Sequence, residues 1–538
     1  MNSAQVMNLC CLLGQTARLF PERIGVIQGD RQWTWSTIDR RVDAMVLALT
    51  ALGVGKGDKI LVHSRNNLQL FESCWVAFRL GAVWVPTNFR LTPPEVAYLG
   101  ASSGASVMMV EDAFPRHVDA VRAASENVAH VIAIGRPRDG ESSYEALVSA
   151  HLGAAPAAAV SVGYDDPLWF FYTSGTTGKP KAGILTHGQM AFVVTNHLAD
   201  LIPGTTEQDC SIAVAPLSHG AGIHALLNVA RGAATVLMPG EKLEPEVFWE
   251  LVQRYRVSNM FTVPTIVKML VEHPAVDLYD HSSLRHVIYA GAPMYRADQK
   301  LALEKLGKVL VQYFGLGEVT GCITVLPTQM HSPDDADPDA NVGSCGRPRT
   351  GMEVAILDER LAPLKTGDVG EICCRGPAVF AGYHGNPEAT AKALRGGWFH
   401  TGDLGRMDER GLLYITGRQS DMYISGGSNV YPREVEEVLL THAGVAEVAV
   451  LGLPDEKWGE VGVAVIVRRE GVAAVNTESL LAHLEGRCAR YRWPHYIVFW
   501  ESLPKSGYGK VIKKDIRSLL FERGEVKRLR IADRLTQR

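Results

Sequence analysis

The sequence predicts an α/β protein: layered parallel sheets first, a compact β segment next, and a small α+β unit last. Three observations carry this. Short apolar runs alternate with helical periods from about residue 24 to 110, and again from 168 to 327. Near residue 343 the helical periods give way to short strands separated by Gly and Pro turns. After about residue 420 helix and strand signals return, over roughly 115 residues.

The elements follow in chain order. The N-terminal MNSAQVMNLCCLLG lacks a basic flank, and its apolar run is too short to span a bilayer. It reads as the buried face of a first amphipathic helix, with a lipidated Cys10 or Cys11 as the minor alternative. IGVIQG, KILVHS, AVWVPT and SVMMVED then read as strands, and STIDRRVDAMVLALTALG as a helix between them. In the second alternating stretch the strands are PLWFF, AATVLM, NMFTV and HVIYAG. EVAILD and GEICCRG open a small β-barrel or sandwich at about 343–419. A boundary at Gln419–Asp421 divides residues 1–419 from 420–538. Beyond it, YPREVEEVLLTHAG is a helix with Pro432 in its first turn and Val435, Val438 and Leu439 on one face. VAEVAVLGL and VGVAVIV are strands, followed by a helix, the strand HYIVFW and a last helix.

Composition narrows the function. The 538 residues are 46% apolar and 21% charged, with a net charge of −4. Disorder, collagen and coiled coil are excluded as the main plan, and so is a general nucleic-acid-coating role. The nine cysteines are dispersed and form no CxxC, which excludes a zinc ribbon or thioredoxin motif and suits a reducing cytoplasm. The run 331–341 carries Asp334, Asp335, Asp337 and Asp339 but lacks the Gly and closing Glu of a calcium loop, so it reads as a solvated loop. Residues 501–538 hold 11 Lys/Arg against 5 Asp/Glu. They read as a solvated terminal helix, or as an attraction for a polyphosphate ligand.

The strongest chemical signal is YTSGTTGKPK, residues 172–181, directly after the apolar run PLWFF. Its glycines Gly175 and Gly178 let backbone N–H groups close around phosphate oxygens. Thr173, Ser174, Thr176 and Thr177 add hydroxyls, and Lys179 and Lys181 add charge. The spacing is not that of a Walker loop.

This string resembles the phosphate loop of the adenylate-forming superfamily, in particular the AMP-forming acyl-CoA synthetases. Further motifs follow in that family's order: PLSH (216–219), GAP (291–293), QYFGLGE (312–318), GWFHTGD (397–403), GR (417–418) and PKSGYGK (504–510). The similarity runs from about Phe20 to Lys510. It implies a large N-terminal domain of two layered α/β subdomains plus a β-barrel, and a small mobile α+β C-terminal domain. It also implies a reaction: ATP and a carboxylate give acyl-AMP and pyrophosphate, then coenzyme A gives acyl-CoA and AMP. Transfer to a carrier protein or an amine is the alternative.

The resemblance also assigns residues. Glu318 holds Mg²⁺ through oxygen, as suits a hard cation. Asp403 binds the ribose hydroxyls, with Arg418 as a second ribose contact. Phe314 backs the adenine, with Gly291, Ala292 and Pro293 on its other side. Lys510 bridges the carboxylate and the α-phosphate as charge builds. Gly426 and Gly427 line the pantetheine tunnel, and Ser420 stands at the hinge. His219 gates the acyl pocket, which Gly222, Ala290, Gly315 and Leu316 help to line. Lys181 fits the family's loop better than Lys179.

Two positions depart from the family pattern. Gly317 replaces the usual Thr, losing a hydroxyl that Thr320 or water would have to replace, and Ser420 replaces a charged hinge residue. Gly315 stands where acetate-specific relatives carry a Trp, which predicts a deeper pocket for an aromatic or medium-chain acid larger than propionate. The expected partners are a small carboxylic acid, ATP and CoA, without nucleic acid or integral membrane association. A homodimer is left open.

Rivals fail on order or chemistry. GASSG at 100–104 fits GxSxG, but a helical run precedes it and a strand follows, the reverse of a nucleophile elbow. GLGEVTG at 315–321 misses the dinucleotide fingerprint. An amino-acid-activating domain needs an acid for the substrate ammonium, and PLSHGAGIHALL offers none.

Overall fold

A computed structural model describes residues 6–173, 179–240, 242–292, 294–337, 340–418, 421–425, 428–455, 458–472, 475–505 and 511–526. The chain falls into two compact units. The first comprises Met1–Pro293, Lys300–Val354 and Cys374–His400; the second comprises Met294–Gln299, Ala355–Cys373 and Thr401–Arg538.

Two sheets build the first unit. One has seven strands in the order Ser142–Ser143, His130–Ile134, Val107–Glu111, Lys59–His63, Val83–Thr87, Pro167–Thr173, Lys181–Thr186. All its neighbours are parallel except the last pair, a hairpin that sets Thr173 opposite Lys181. The other has nine strands, with a parallel centre of Leu310–Phe314, His286–Tyr289, Asn259–Thr262, Cys210–Ala213, Ala234–Leu237 and Ile24–Gln28. Continuous apolar runs form these strands because helices cover both faces of a parallel sheet. One apolar core runs from Ile60 and Val62 through Trp169 and Leu185 to Ile288 and Val311.

An ionic cluster, buried at Arg41 and Glu72, ties three helices of this unit together. Arg41, on Trp35–Ala51, reaches Glu72 on Leu68–Leu80 at 2.6 and 3.1 Å, and Glu145 on Tyr144–His151 at 2.8 and 2.9 Å. The Tyr144 hydroxyl donates to Glu72 at 3.0 Å. Burial pushes the Glu72 carboxyl up, and the Arg41 charge opposes it. The first helix, Cys11–Leu19, follows the buried Leu9 and Cys10, as its apolar run predicts.

The segment expected to be a β-barrel or sandwich pairs linearly into a four-stranded sheet: Glu353–Leu357, Gly370–Arg375, Phe399–Met407, Leu413–Arg418. In the second unit, Val445–Asp455 and Gly459–Arg468 form a long antiparallel pair, which Tyr496–Trp500 extends in parallel. Period-two alternation gives this sheet two apolar faces. Val448, Val450, Ala464 and Ile466 share a core with helices Pro432–Leu440 and Thr477–Leu484. Ala449, Leu451, Val463 and Val465 share the other with helix Lys513–Glu522.

Candidate active site

In parallel α/β sheets, ligand sites form beyond the carboxyl ends of the strands. The sequence motifs of the first unit fall there. Strand Cys210–Ala213 runs into the PLSH segment, His286–Tyr289 into Ala290–Ala292, and Leu310–Phe314 into Gly315–Glu318. Strand Pro167–Thr173 ends on the first residue of the phosphate loop. Ser174, Gly175, Thr176, Thr177 and Gly178 lie outside the described residues.

Glu318 sits in a short 3-10 turn, Gly317–Val319, and is 6% exposed. Its Oε1 accepts from the Thr173 hydroxyl at 3.0 Å and from the Tyr383 hydroxyl at 2.9 Å. Oε2 receives neither bond, so one carboxylate oxygen is anchored and the other remains available to a hard cation. Burial and the neighbouring Glu318 charge push the Tyr383 phenol well up, which keeps it a donor. The two lysines separate here. Lys181 Nζ lies 5.3 Å from the Tyr383 ring centre, whereas Lys179 Nζ lies 5.2 Å from that of Tyr98. Lys181 therefore joins the Glu318 cluster.

His219 stands at the N-cap of helix Gly220–Arg231, and its ring lies tilted against Phe171, 4.4 Å between centres and 32° between planes. A Cβ at Gly317 would lie 2.7 Å from two Phe171 ring carbons and 2.8 Å from Thr173 Cγ2. Phe171 thus fills the volume that a Thr at 317 would need. Thr320 does not replace the lost hydroxyl: it is 1% exposed, and its Oγ1 faces the Cys322 sulfur at 4.0 Å.

Gly315 and Gly222, which the sequence places in the acyl pocket, are closely packed. A Cβ at Gly315 would meet Gly321 Cα at 2.4 Å, and one at Gly222 would meet the Leu217 carbonyl oxygen at 2.0 Å. A side chain at either position would therefore meet backbone. Ala290 is buried, while Leu316, Phe314 and Ala292 are half-buried. Gly291 takes φ +83°, a left-handed conformation that favours glycine.

In the second unit, Asp403 and Arg418 pair across adjacent strands. Arg418 Nε donates to Asp403 Oδ1 at 3.0 Å, and the Asp403 N–H donates to Thr401 Oγ1 at 3.0 Å. The result is an oriented, 5% exposed carboxylate beside a half-exposed guanidinium. Pro293, Ser420, Gly426, Gly427 and Lys510 lie outside the described residues.

The profile of the AMP-binding enzyme family matches residues 13–384, and that of the AMP-binding enzyme C-terminal domain matches 434–510. The chain belongs to this family. It is a member of the adenylate-forming acyl-CoA synthetase superfamily, whose acyl-CoA ligases use ATP and CoA as substrates. Feruloyl-CoA synthase of Amycolatopsis sp is 35% identical over 508 residues, 93% of this chain and 96% of that protein. Indoleacetate–CoA ligase of Aromatoleum aromaticum is 34% identical over 507 residues, 94% of this chain and 95% of that protein. The solved anthranilate CoA ligase AuaEII, in complex with anthranoyl-AMP, superposes with a TM-score of 0.85 at 25% identity, covering 96% of this chain and 97% of that one. No helix among the described residues is long and apolar enough to cross a membrane.

Sequence reasoning missed Tyr383 and Phe171. Tyr383 sits in AGYHG, outside any quoted motif, and only the fold brings it to Glu318. Phe171 had a signal: a Gly at a position expected to hold Thr implies that a neighbour fills the space.

Proposed function

We propose that this enzyme activates an aromatic carboxylic acid with ATP and passes the acyl group to coenzyme A. The observation that carries the reading is Glu318, anchored on one oxygen by Thr173 and Tyr383 where the phosphate-loop strand ends. The aromatic class is supported by the two relatives named for feruloyl-CoA and indoleacetate.

The chemistry has two steps. A carboxylate oxygen attacks the α-phosphorus, and the bond to pyrophosphate breaks. The CoA sulfur then attacks the acyl carbon, its thiol proton is lost to solvent, and the bond to AMP breaks. Glu318 would hold Mg²⁺, which shields phosphate charge when bound. Thr173 and Tyr383 keep the carboxylate in place, and Lys181 adds positive charge beside them. Asp403 and Arg418 take the ribose hydroxyls, and Phe314 with Gly291, Ala292 and Pro293 takes the adenine. Lys510 steadies the charge that develops between carboxylate and phosphate. His219 and Phe171 face the acyl group. Residues 420–538 act as the moving domain, with Ser420 at its hinge and Gly426 and Gly427 beside the thiol.

The test is acid-dependent exchange of labelled pyrophosphate into ATP, without CoA, in wild type and Glu318→Gln. Exchange with aromatic acids, falling by about 10²–10³ in the variant, is expected for a lost electrostatic anchor. A variant exchanging at the wild-type rate would remove Glu318 from the chemistry.

A further inference from the structure

A second polar site lies in the first unit, on the helix with His219 at its N-cap. A cavity of about 10 Å³ is lined by Ser211, Leu217, Ala221, His224, Thr235 and Phe261, among others. That is close to the space one hydroxyl or one water needs. Among the described residues, two polar atoms of its lining have no hydrogen-bond partner: His224 Nδ1 and Thr235 Oγ1, on residues 5% and 2% exposed.

The network behind His224 fixes which proton it carries. Asn228 Nδ2 donates to the His224 main-chain carbonyl at 3.0 Å, so Asn228 Oδ1 is turned to accept from Asn259 Nδ2 at 3.1 Å. Asn259 Oδ1 is then the acceptor facing His224 Nε2 at 2.7 Å, so Nε2 carries the hydrogen. Nδ1 is left as a lone pair with no donor. Burial lowers the imidazole pKa to about 4, so the ring stays neutral at ordinary pH. A buried acceptor without a donor is costly, and a ligand donor would relieve it.

Three of its apolar lining residues, Leu217, Ala221 and Phe261, come from the segments around His219 and Tyr313. Leu217 and Ala221 flank His219 in sequence, and Phe261 stacks on Tyr313 at 5.8 Å and 17°. His224 lies five residues into the helix from its cap, about 7.5 Å along the axis. Resting on the aromatic-acid reading above, we propose that His224 and Thr235 form a distal subsite for a phenolic hydroxyl, which donates to Nδ1 and accepts from Thr235 Oγ1. The preferred substrate class is then an aromatic acid with a hydroxyl at the end remote from its carboxylate.

The experiment compares acyl-CoA formation from 4-hydroxycinnamic, 4-methylcinnamic and cinnamic acids. The wild type should favour the hydroxy acid over its methyl isostere by tenfold or more in kcat/KM, since a site built for a hydroxyl rejects its absence. His224→Leu should collapse that ratio toward one, and His224→Gln, which keeps an acceptor and a donor, should restore part of it. Thr235→Val reads the same ratio if His224→Leu does not fold, and should also lower it. Equal use of the three acids by the wild type, or an unchanged ratio in folded His224→Leu or Thr235→Val, overturns the subsite and leaves the cavity to a water. Acyl-CoA formation then still stands, whereas no acyl-CoA from any acid overturns the ligase reading and this one together.

Discussion

Gly317 and Phe171 divide one volume between them. Because a Cβ at 317 would fall 2.7 Å from the Phe171 ring, Gly317→Thr is expected to cost about 1–3 kcal/mol of overpacking. Thermal unfolding should show the loss, and Phe171→Leu in the same chain should recover part of it. A Gly317→Thr variant as stable as wild type would mean that the ring yields freely. Tyr383→Phe removes one of two bonds to the Glu318 oxygen, a charged acceptor worth about 1.5–3 kcal/mol per bond. Acid-dependent pyrophosphate exchange should fall by roughly tenfold or more, and unfolding should lose no more than about 1.5–3 kcal/mol; unaltered exchange would remove Tyr383 from the site. At this scale motifs in the sequence single out Thr173, Glu318 and Asp403, and the structure adds the pairings that no motif shows, Tyr383 beside Glu318 and Arg418 bonded to Asp403. A glycine is harder to read, because it can mean either space or contact. Gly315 and Gly222 look like clearance in a string of letters, but the backbone of Gly321 and the Leu217 carbonyl occupy the space a side chain would take.

Elements were more legible than residues, because their signals are local. The strands Lys59–His63, Val107–Glu111 and Asn259–Thr262 coincide with apolar runs that the sequence displays, and Pro432 opens its helix as expected. Partnerships between elements are non-local, and the Arg41–Glu72–Glu145 cluster was invisible for that reason. Three helices meet there through side chains up to 104 positions apart. Replacing Arg41 by Met leaves the Glu72 charge buried without its main partner, so Arg41→Met should lose about 3–5 kcal/mol in denaturant unfolding. The double variant Arg41→Met, Glu72→Met should recover most of it, because paired apolar groups carry no desolvation cost. A single variant as stable as the wild type would show that the cluster does not hold the three helices.

For the whole molecule, acid should be the weak side. Burial lowers His63 to about 3 and His187, His224 and His286 to about 4, and holds His197 well below its ordinary value. Unfolded histidines titrate near 6.5, so between about pH 6.5 and 4 the unfolded chain binds more protons than the folded one. Stability from these groups is complete above pH 6.5 and is lost as the pH falls toward 4. The melting temperature should therefore decline steadily from pH 7 to 4.5; a flat profile would mean that these imidazoles are not neutral in the fold. At the same scale, the alternation of strand and helix gave the parallel layers, while the order of strands in each sheet is a matter of long-range pairing that no local signal carries. Adenylation followed by transfer to CoA is read out in product stoichiometry. Purified enzyme, ATP, Mg²⁺, CoA and 4-hydroxycinnamic acid should give AMP, pyrophosphate and acyl-CoA in equal amounts. AMP and pyrophosphate without acyl-CoA would contradict transfer to CoA and point to a carrier protein or an amine as acceptor.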